Sequence, residues 1–162
     1  MELALNDENT PSVLCLSRQG LPTLRTDHTD ALQSAKGAYI LRGTSGLRDV
    51  TIIATGSEVE IALNAAEKLA DEGVAAAVIS APCFEAFAAQ TAAYRARVLG
   101  TAPRIGVEAA IKQSWGALLG DNSTFIGMDS FGASAPANEL YAHFGITADA
   151  VVNAAHDLIK GK

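Results

Sequence analysis

Two patterns of hydrophobic and polar residues meet between residues 51 and 69, and together they predict a strand that turns into a helix. Residues 51–54 are β-branched or apolar without helical periodicity, which is typical of a strand buried on both faces of a sheet. From residue 57 onward the apolar positions recur every three or four residues, which places them on one side of a helix. In the turn between them, Gly56 suits a tight turn and Ser57 suits capping of the helix.

The rest of the chain shows the same alternation of strand and helix patterns. The predicted elements are strands at 38–41, 50–54, 74–80, 104–107 and 124–128, helices at 57–71 and 87–98, a helical turn around Trp115, and one or two helices from Pro136 onward. This alternation predicts an α/β fold of three layers, with helices on both faces of a mostly parallel, mixed sheet. The first strand is followed by too few residues for a crossover helix, so we expect it to be the antiparallel member.

The sequence before this alternation has a different character. Residues 12–16 form a short apolar run, which we interpret as a buried strand, and the polar loop at 17–22 ends it. Residues 24–36 are polar and irregular, as in a linker. We therefore divide the chain into an N-terminal part at residues 1–24, a linker at 25–36 and a main domain at 37–162.

Composition limits the possible partners and the compartment. Of the 162 residues, 49% are hydrophobic and 19% are charged, as expected for one soluble domain with a substantial core. The formal net charge of −6 and the scattered basic residues argue against binding to nucleic acid or to an acidic membrane surface. No apolar run approaches the roughly 20 residues of a membrane-spanning helix, and the first ten residues do not resemble a signal peptide. We therefore expect a cytoplasmic protein.

Three side chains are expected in the interior. Cys15 and Cys83 lie in or beside apolar runs and form no CxxC pair, so we interpret them as buried free thiols. Phe131 lies in the loop at 129–136, which leads into a helix with Pro136 near its first turn, and we expect it to anchor that loop in the core.

The sequence offers no candidate for a catalytic residue or a metal ligand. The three histidines, His28, His143 and His156, are explained as surface or capping residues, and neither a GxSxG motif nor a nucleophile–base pair accompanies them. No His, Cys, Asp and Glu residues have the spacing of a metal site. An independent hydrolase is therefore poorly supported.

Two positions could bind an anion. The turn Thr55-Gly56-Ser57 opens a helix, and helix N-termini can hold phosphate, although the turn lacks the residues of a dinucleotide-binding motif or a P-loop. A regulatory module that binds an anionic metabolite at this turn is therefore one hypothesis for function. Arg18 stands where an apolar run ends and a loop begins, which is where α/β sheets bind ligands. An arginine there can bind a phosphate through two hydrogen bonds.

Five stretches occur in order along the chain: LSRQGLP at 16–22, AYIL at 38–41, IATGSEVE at 53–60, FGASAP at 131–136 and FGIT at 144–147. Together they resemble the C-terminal end of transketolase, and the resemblance covers essentially the whole chain. The family's enzyme is a homodimer that depends on thiamine diphosphate and a divalent cation, Mg or Ca. It transfers a two-carbon ketol unit between sugar phosphates in the pentose phosphate pathway.

The resemblance assigns a role to each part of the chain. Residues 1–24 correspond to the end of the pyrimidine-binding domain and residues 37–162 to the C-terminal domain, which in the family does not contact the cofactor. Arg18 matches the arginine of the family's SRQN motif, which binds the sugar-phosphate group, although Gly20 replaces the asparagine. The resemblance thus implies a dimer-supporting fragment that is inactive alone, holding neither the catalytic residues nor the cofactor. A homodimer of complete chains or a complementary N-terminal polypeptide would supply the missing domains.

Overall fold

A five-stranded sheet organises the computed structural model, which describes residues 2–6, 8–26 and 32–161. Its strands are β1 (Tyr39–Arg42), β2 (Val50–Ala54), β3 (Ala76–Ser80), β4 (Arg104–Val107) and β5 (Ser123–Ile126). They lie in the order β1-β3-β2-β4-β5. The pairs β2–β3, β2–β4 and β4–β5 are parallel, whereas β1 pairs antiparallel with β3. The mixed sheet and its antiparallel first strand are therefore confirmed.

One α-helix precedes the first strand in the sequence, four lie between later strands, and two follow the last strand within the described residues. They are α1 (Glu2–Asn6), α2 (Glu58–Asp71), α3 (Phe84–Ala88), α4 (Ala92–Leu99), α5 (Gly116–Leu119), α6 (Ala137–His143) and α7 (Ala148–Lys160). Two 3₁₀ helices, Gln33–Lys36 and Lys112–Trp115, complete the set in the part of the chain described here. His28 lies outside the described residues, as does the middle of the expected linker.

The sheet separates two apolar layers, which confirms the three-layer α/β architecture. Val50, Ile52 and Ala54 of β2 pack on one face with α2 and α7, whereas Ile53 points into the other face with α3, α4 and α5. Every residue of β2 is buried. This strand lies in the centre of the sheet and is covered on both faces, as its continuous apolar pattern predicted.

Trp115 fills the apolar layer between the sheet and helices α3, α4 and α5, and it packs directly over β4. Its side chain is fully buried, and its ring contacts Phe84 and Phe125 at centroid distances of 5.1 and 5.3 Å. A Cβ atom added at Gly106 would lie 2.8 Å from Cε3 of Trp115 and 2.9 Å from Cδ2 of Phe125. Carbon atoms pack at about 3.5–4.0 Å, so this position in β4 accepts glycine alone without rearrangement.

The single helix predicted at residues 87–98 is wrong, because two helices form instead. Between α3 and α4, the side chain of Thr91 accepts a hydrogen bond from the backbone N–H of Tyr94 and begins α4 afresh. The guanidinium of Arg95 donates to the carbonyl oxygens of Ala88 and Gln90, which satisfies backbone acceptors at the break.

The predicted strand at residues 12–16 does not form. The segment pairs with no strand of the sheet and is exposed, with 89% of Val13 and 81% of Leu16 accessible. Cys15 is exposed with it, so the expectation of a buried thiol is wrong for this residue. An apolar run becomes a strand only when a neighbouring strand accepts its hydrogen bonds, and none lies beside it within the described residues.

Two further side chains expected in the core lie at the surface. Cys83 is a free, exposed thiol just before α3, where its Sγ lies 3.6 Å from a carboxylate oxygen of Glu85. Phe131 is 98% exposed and does not anchor its loop, although α6 begins directly after Pro136 as expected. Both predictions were wrong because burial of a loop residue depends on distant packing rather than on neighbouring sequence.

Candidate functional site

A cleft of about 290 Å³ opens at the edge of the sheet where β2, β4 and β5 end. We call it the carboxyl-end cleft, and its lining includes Gln19, Ser57, Glu58, Gly132, Tyr141 and Phe144. All of these residues except Tyr141 come from four of the five stretches that resemble transketolase. The fold therefore brings together motifs that are separated by more than a hundred positions in the chain.

The strand ends beside this cleft form a topological switch point. After β2 the chain enters α2 on one face, and after β4 it enters the 3₁₀ helix Lys112–Trp115 on the other face. Loops that diverge in this way create the crevice where open α/β sheets bind ligands. The turn after β2 therefore lies beside such a crevice, whereas ligand binding at this turn or at Arg18 stays a prediction.

Glu108 bridges the two diverging loops. Its Oε1 accepts a hydrogen bond of 2.7 Å from the hydroxyl of Thr55, and its Oε2 accepts one of 2.8 Å from Nε1 of Trp115. Both carboxylate oxygens are thus satisfied, one by the loop after β2 and one by the 3₁₀ helix after β4. The hydroxyl of Thr55 is consequently committed to a carboxylate.

Glu58 forms a second network at the start of α2. It is 5% exposed, and its Oε1 lies 2.9 Å from the hydroxyl of Ser57 and 2.5 Å from that of Tyr141. The positive end of α2 and these two donors compensate the buried carboxylate. The helix predicted at 57–71 includes Glu58 in its first turn, but its burial and its partner on α6 could not be predicted, because Tyr141 lies 83 positions away.

Ser57 does not cap α2 as expected. Its backbone already has helical angles, φ −68° and ψ −25°, and its side chain forms no hydrogen bond to the amides of the first turn. The hydroxyl instead donates to Glu58, and it lies 2.9 Å from the hydroxyl of Tyr141. A capping serine needs non-helical backbone angles so that its oxygen can accept from an amide of the first turn, and the helical angles of Ser57 do not provide that geometry.

Tyr141 connects this network to the N-terminal segment. Burial and the hydrogen bond to Glu58 raise the pKa of Tyr141 to about 12. The side-chain amide of Gln19 donates a long hydrogen bond of 3.4 Å to the same phenol oxygen. Tyr141 therefore joins α6, the start of α2 and the segment that carries Arg18.

The turn Thr55-Gly56-Ser57 offers an anion less than its sequence suggested. Both hydroxyls are hydrogen-bonded to carboxylates, and Glu58 and Glu108 place negative charge on either side of the turn. Gly56 itself is exposed, with the positive φ of 47° that a tight turn requires. Anion binding at this turn stays a prediction, and no contact within the described residues favours it.

Arg18 is exposed in a bend beside the carboxyl-end cleft. Its side chain forms no hydrogen bond or ion pair with any residue in the described ranges, in contrast to Arg48 and Arg104, which donate to backbone carbonyls. A Cβ at Gly20 would meet nothing within 4 Å. The bend therefore has room for the asparagine side chain that the SRQN motif carries at this position.

Metal-ligating side chains do not cluster within the described residues. Residues 2–6, 8–26 and 32–161 contain no group of three His, Cys, Asp or Glu side chains that could hold a metal ion. His143 stacks edge-on against Phe144, and His156 lies 2.7 Å from a carboxylate oxygen of Glu72. Across the same ranges, no helix is both long and apolar enough to cross a membrane.

Comparison with known proteins identifies the family. A family model described as "Transketolase-like TK C-terminal domain" matches residues 37–147. The transketolase of Cereibacter sphaeroides is 60% identical over 158 residues, which cover 98% of this chain and 24% of that protein. The transketolase of Sinorhizobium medicae is 59% identical over 160 residues, covering 98% and 23% respectively.

A solved structure agrees with these relatives. The transketolase from Leishmania mexicana is 39% identical and superposes with a TM-score of 0.88 over 98% of this chain and 23% of its own. The chain thus spans about a quarter of the length of the relatives that it matches. The resemblance seen in the sequence is confirmed, and the chain belongs to the transketolase family, within which it matches the C-terminal domain.

Proposed function

We propose that this chain is the C-terminal part of a transketolase that transfers a two-carbon ketol unit between sugar phosphates. Its match to about a quarter of each relative, together with the family model of a transketolase-like C-terminal domain over residues 37–147, supports this proposal. Thiamine diphosphate supplies the carbanion chemistry of such an enzyme when it is bound. The contribution of this chain is then to bind and orient substrate and to support the assembly.

Within that enzyme, Arg18 binds the phosphate group of the substrate. The observation that carries this role is an exposed guanidinium without a protein partner in the described ranges, beside Gln19, which is tied to Tyr141. Arginine presents several N–H groups in a plane and can donate two parallel hydrogen bonds to phosphate oxygens. Arg18 is available for such a contact, because it has no partner within the described ranges and its neighbour Gln19 is hydrogen-bonded to the main domain.

Substitution of Arg18 in the complete enzyme tests this role. Arg18→Ala should raise KM for phosphorylated substrates and lower kcat/KM by about 2 to 4 kcal/mol, while ketoses without phosphate should be almost unaffected. Arg97→Ala is a matched control, since Arg97 is also exposed but lies over the ring of Tyr94 on the opposite side of the sheet. Equal losses on phosphorylated and unphosphorylated substrates would show that Arg18 is structural.

The division of the chain follows from the same proposal. Residues 1–24 form the end of a pyrimidine-binding domain, residues 25–36 a linker, and residues 37–162 the C-terminal domain of a cytoplasmic enzyme. The exposed apolar side chains of Val13, Leu14 and Leu16 support this, because a segment belonging to another domain leaves its apolar contacts unmade when that domain is absent. A homodimer of complete chains or a complementary N-terminal polypeptide provides those contacts and the cofactor site.

The isolated chain is therefore expected to be inactive. Purified protein incubated with thiamine diphosphate, Mg²⁺ and a ketose phosphate should show no ketol transfer. Mixing it with a polypeptide that carries the upstream domains should restore activity if a split assembly is the native form. Turnover by the isolated chain alone would contradict the proposed division of labour.

A further inference from the structure

The contact between Gln19 and Tyr141 connects parts of the chain that are 122 positions apart. Gln19 is half-buried, whereas Arg18 before it and Gly20 after it are both exposed. Within the described residues, the amide of Gln19 is the one side-chain hydrogen bond that ties the bend at 17–20 to the main domain. The direction of Arg18 therefore depends on a tether formed by its neighbour.

Tyr141, which accepts the hydrogen bond from Gln19, is held in place by further hydrogen bonds. Tyr141 lies on α6, and its hydroxyl is 2.5 Å from Oε1 of Glu58 and 2.9 Å from Oγ of Ser57. Glu58 is 95% buried, since 5% of it is exposed, so its carboxylate cannot turn to water when a partner is lost. With the phenol proton directed to Glu58, the lone pairs of the phenol oxygen remain for the amide of Gln19.

We propose that Tyr141 is a positioning residue that holds the Arg18 bend, through Gln19, in the place where it binds the phosphate group of a sugar phosphate. This inference rests on the role proposed for Arg18. The phenol does not touch substrate, and it acts by limiting the positions that the bend can take. Preorganisation of this kind lowers the entropy lost on binding, so its loss weakens affinity for the phosphate rather than the chemical step.

The test compares two Tyr→Phe substitutions in the complete enzyme. Tyr141→Phe keeps the ring and removes the hydroxyl. Tyr94→Phe is the matched control, because its hydroxyl also donates one hydrogen bond, of 2.9 Å to the carbonyl of Ala38, but in the layer on the opposite face of the sheet. We expect Tyr141→Phe to raise KM for a phosphorylated ketose about two- to tenfold, the range that corresponds to one neutral hydrogen bond, with kcat unchanged.

Three readouts separate this inference from a structural role. KM for a ketose without phosphate should stay unchanged in Tyr141→Phe, and Tyr94→Phe should alter KM for neither substrate. The increase should disappear when Arg18→Ala is already present, since there is then no guanidinium to position. Gln19→Ala should reproduce the selective increase while leaving the contact of Tyr141 with Glu58 intact, which guards against a folding defect in Tyr141→Phe.

The outcomes distinguish failure of the inference from failure of the proposed function. If Arg18→Ala affects phosphorylated substrates selectively while Tyr141→Phe and Gln19→Ala leave KM unchanged, or raise it equally for both substrates, the positioning role is wrong and the role of Arg18 stands. If Arg18→Ala itself shows no selectivity for phosphorylated substrates, the proposed function of Arg18 is wrong and the positioning role is overturned with it.

Discussion

The tightest packing described above predicts that the same substitution has opposite effects at two glycines. A Cβ at Gly106 would lie 2.8 Å from the ring of Trp115 and 2.9 Å from that of Phe125, about 0.6 Å or more inside a normal carbon contact. Trp115 cannot easily yield, because its Nε1 is bonded to Glu108 and it is fully buried. Overpacking of this kind costs about 1 to 3 kcal/mol, so Gly106→Ala should lower the free energy of unfolding by that amount.

Gly116 is the matched control for this substitution. It is exposed at the start of α5 with helical angles, φ −54° and ψ −42°, and an added Cβ would meet nothing within 4 Å. Gly116→Ala should therefore be neutral or stabilise the chain by up to about 1 kcal/mol, since alanine loses less backbone entropy on folding. The two variants thus separate a packing effect from a general effect of replacing glycine.

Urea unfolding of the 162-residue chain measures both effects. Trp115 is the single tryptophan of the sequence, so its fluorescence reports directly on the layer that Gly106→Ala disturbs. The midpoint should fall for Gly106→Ala at an unchanged slope, and it should hold or rise for Gly116→Ala. A midpoint for Gly106→Ala equal to or above that of the unmodified chain would refute the packing argument.

Three further predictions address the side-chain networks. The pKa of Tyr141 is raised from 10.0 to about 12, so its contribution to stability should be complete below about pH 10 and lost as the pH rises toward 12. Urea melts across this range should show that loss, and Tyr141→Phe should remove it. Thr147 caps α7 by accepting a hydrogen bond from an amide of its first turn, so Thr147→Ala should cost about 1 kcal/mol in thermal or urea melts. Thr44→Ala is the loop control and should cost less, because its hydroxyl forms only one solvent-exposed hydrogen bond, to the carbonyl of Gly46. Titration with sugar phosphates and nucleotides, followed at the amide resonances of Gly56 and Ser57, should show no saturable shift below about millimolar ligand, and saturation at micromolar ligand would revive the anion-binding hypothesis.

The sequence could predict those strands and helices that depend mainly on neighbouring residues in the chain. β2 and α2 follow from a continuous apolar run and a helical period, and both occur within one residue of the predicted bounds. β1 was identified as antiparallel because its connection is too short for a crossover helix. The break between α3 and α4 was missed, because a helix-forming composition conceals the cap provided by Thr91.

Of the two candidate anion-binding positions, the sequence could locate the turn after β2 but not its contacts, and anion binding at either position stays a prediction. The turn after β2 lies at the carboxyl ends of the strands because topology places it there, whereas Arg18 follows a segment that forms no strand and lies beside the cleft through the contact of Gln19 with Tyr141. The partners of Glu58 and Glu108 could not be inferred, since each network joins residues from separate elements. Sequence indicated a carboxylate at a helix start, but only the packing of α6 against α2 shows that Glu58 is buried.

The bridge made by Glu108 also restricts how this sequence can evolve. Replacing Glu108 alone leaves the hydroxyl of Thr55 and the indole N–H of Trp115 without their acceptor, and unpaired buried donors are costly. Replacing Trp115 alone opens a void above Gly106. Substitutions at positions 55, 106, 108 and 115 are therefore coupled. We expect relatives that lack the carboxylate at position 108 to differ also at position 115 or at position 106.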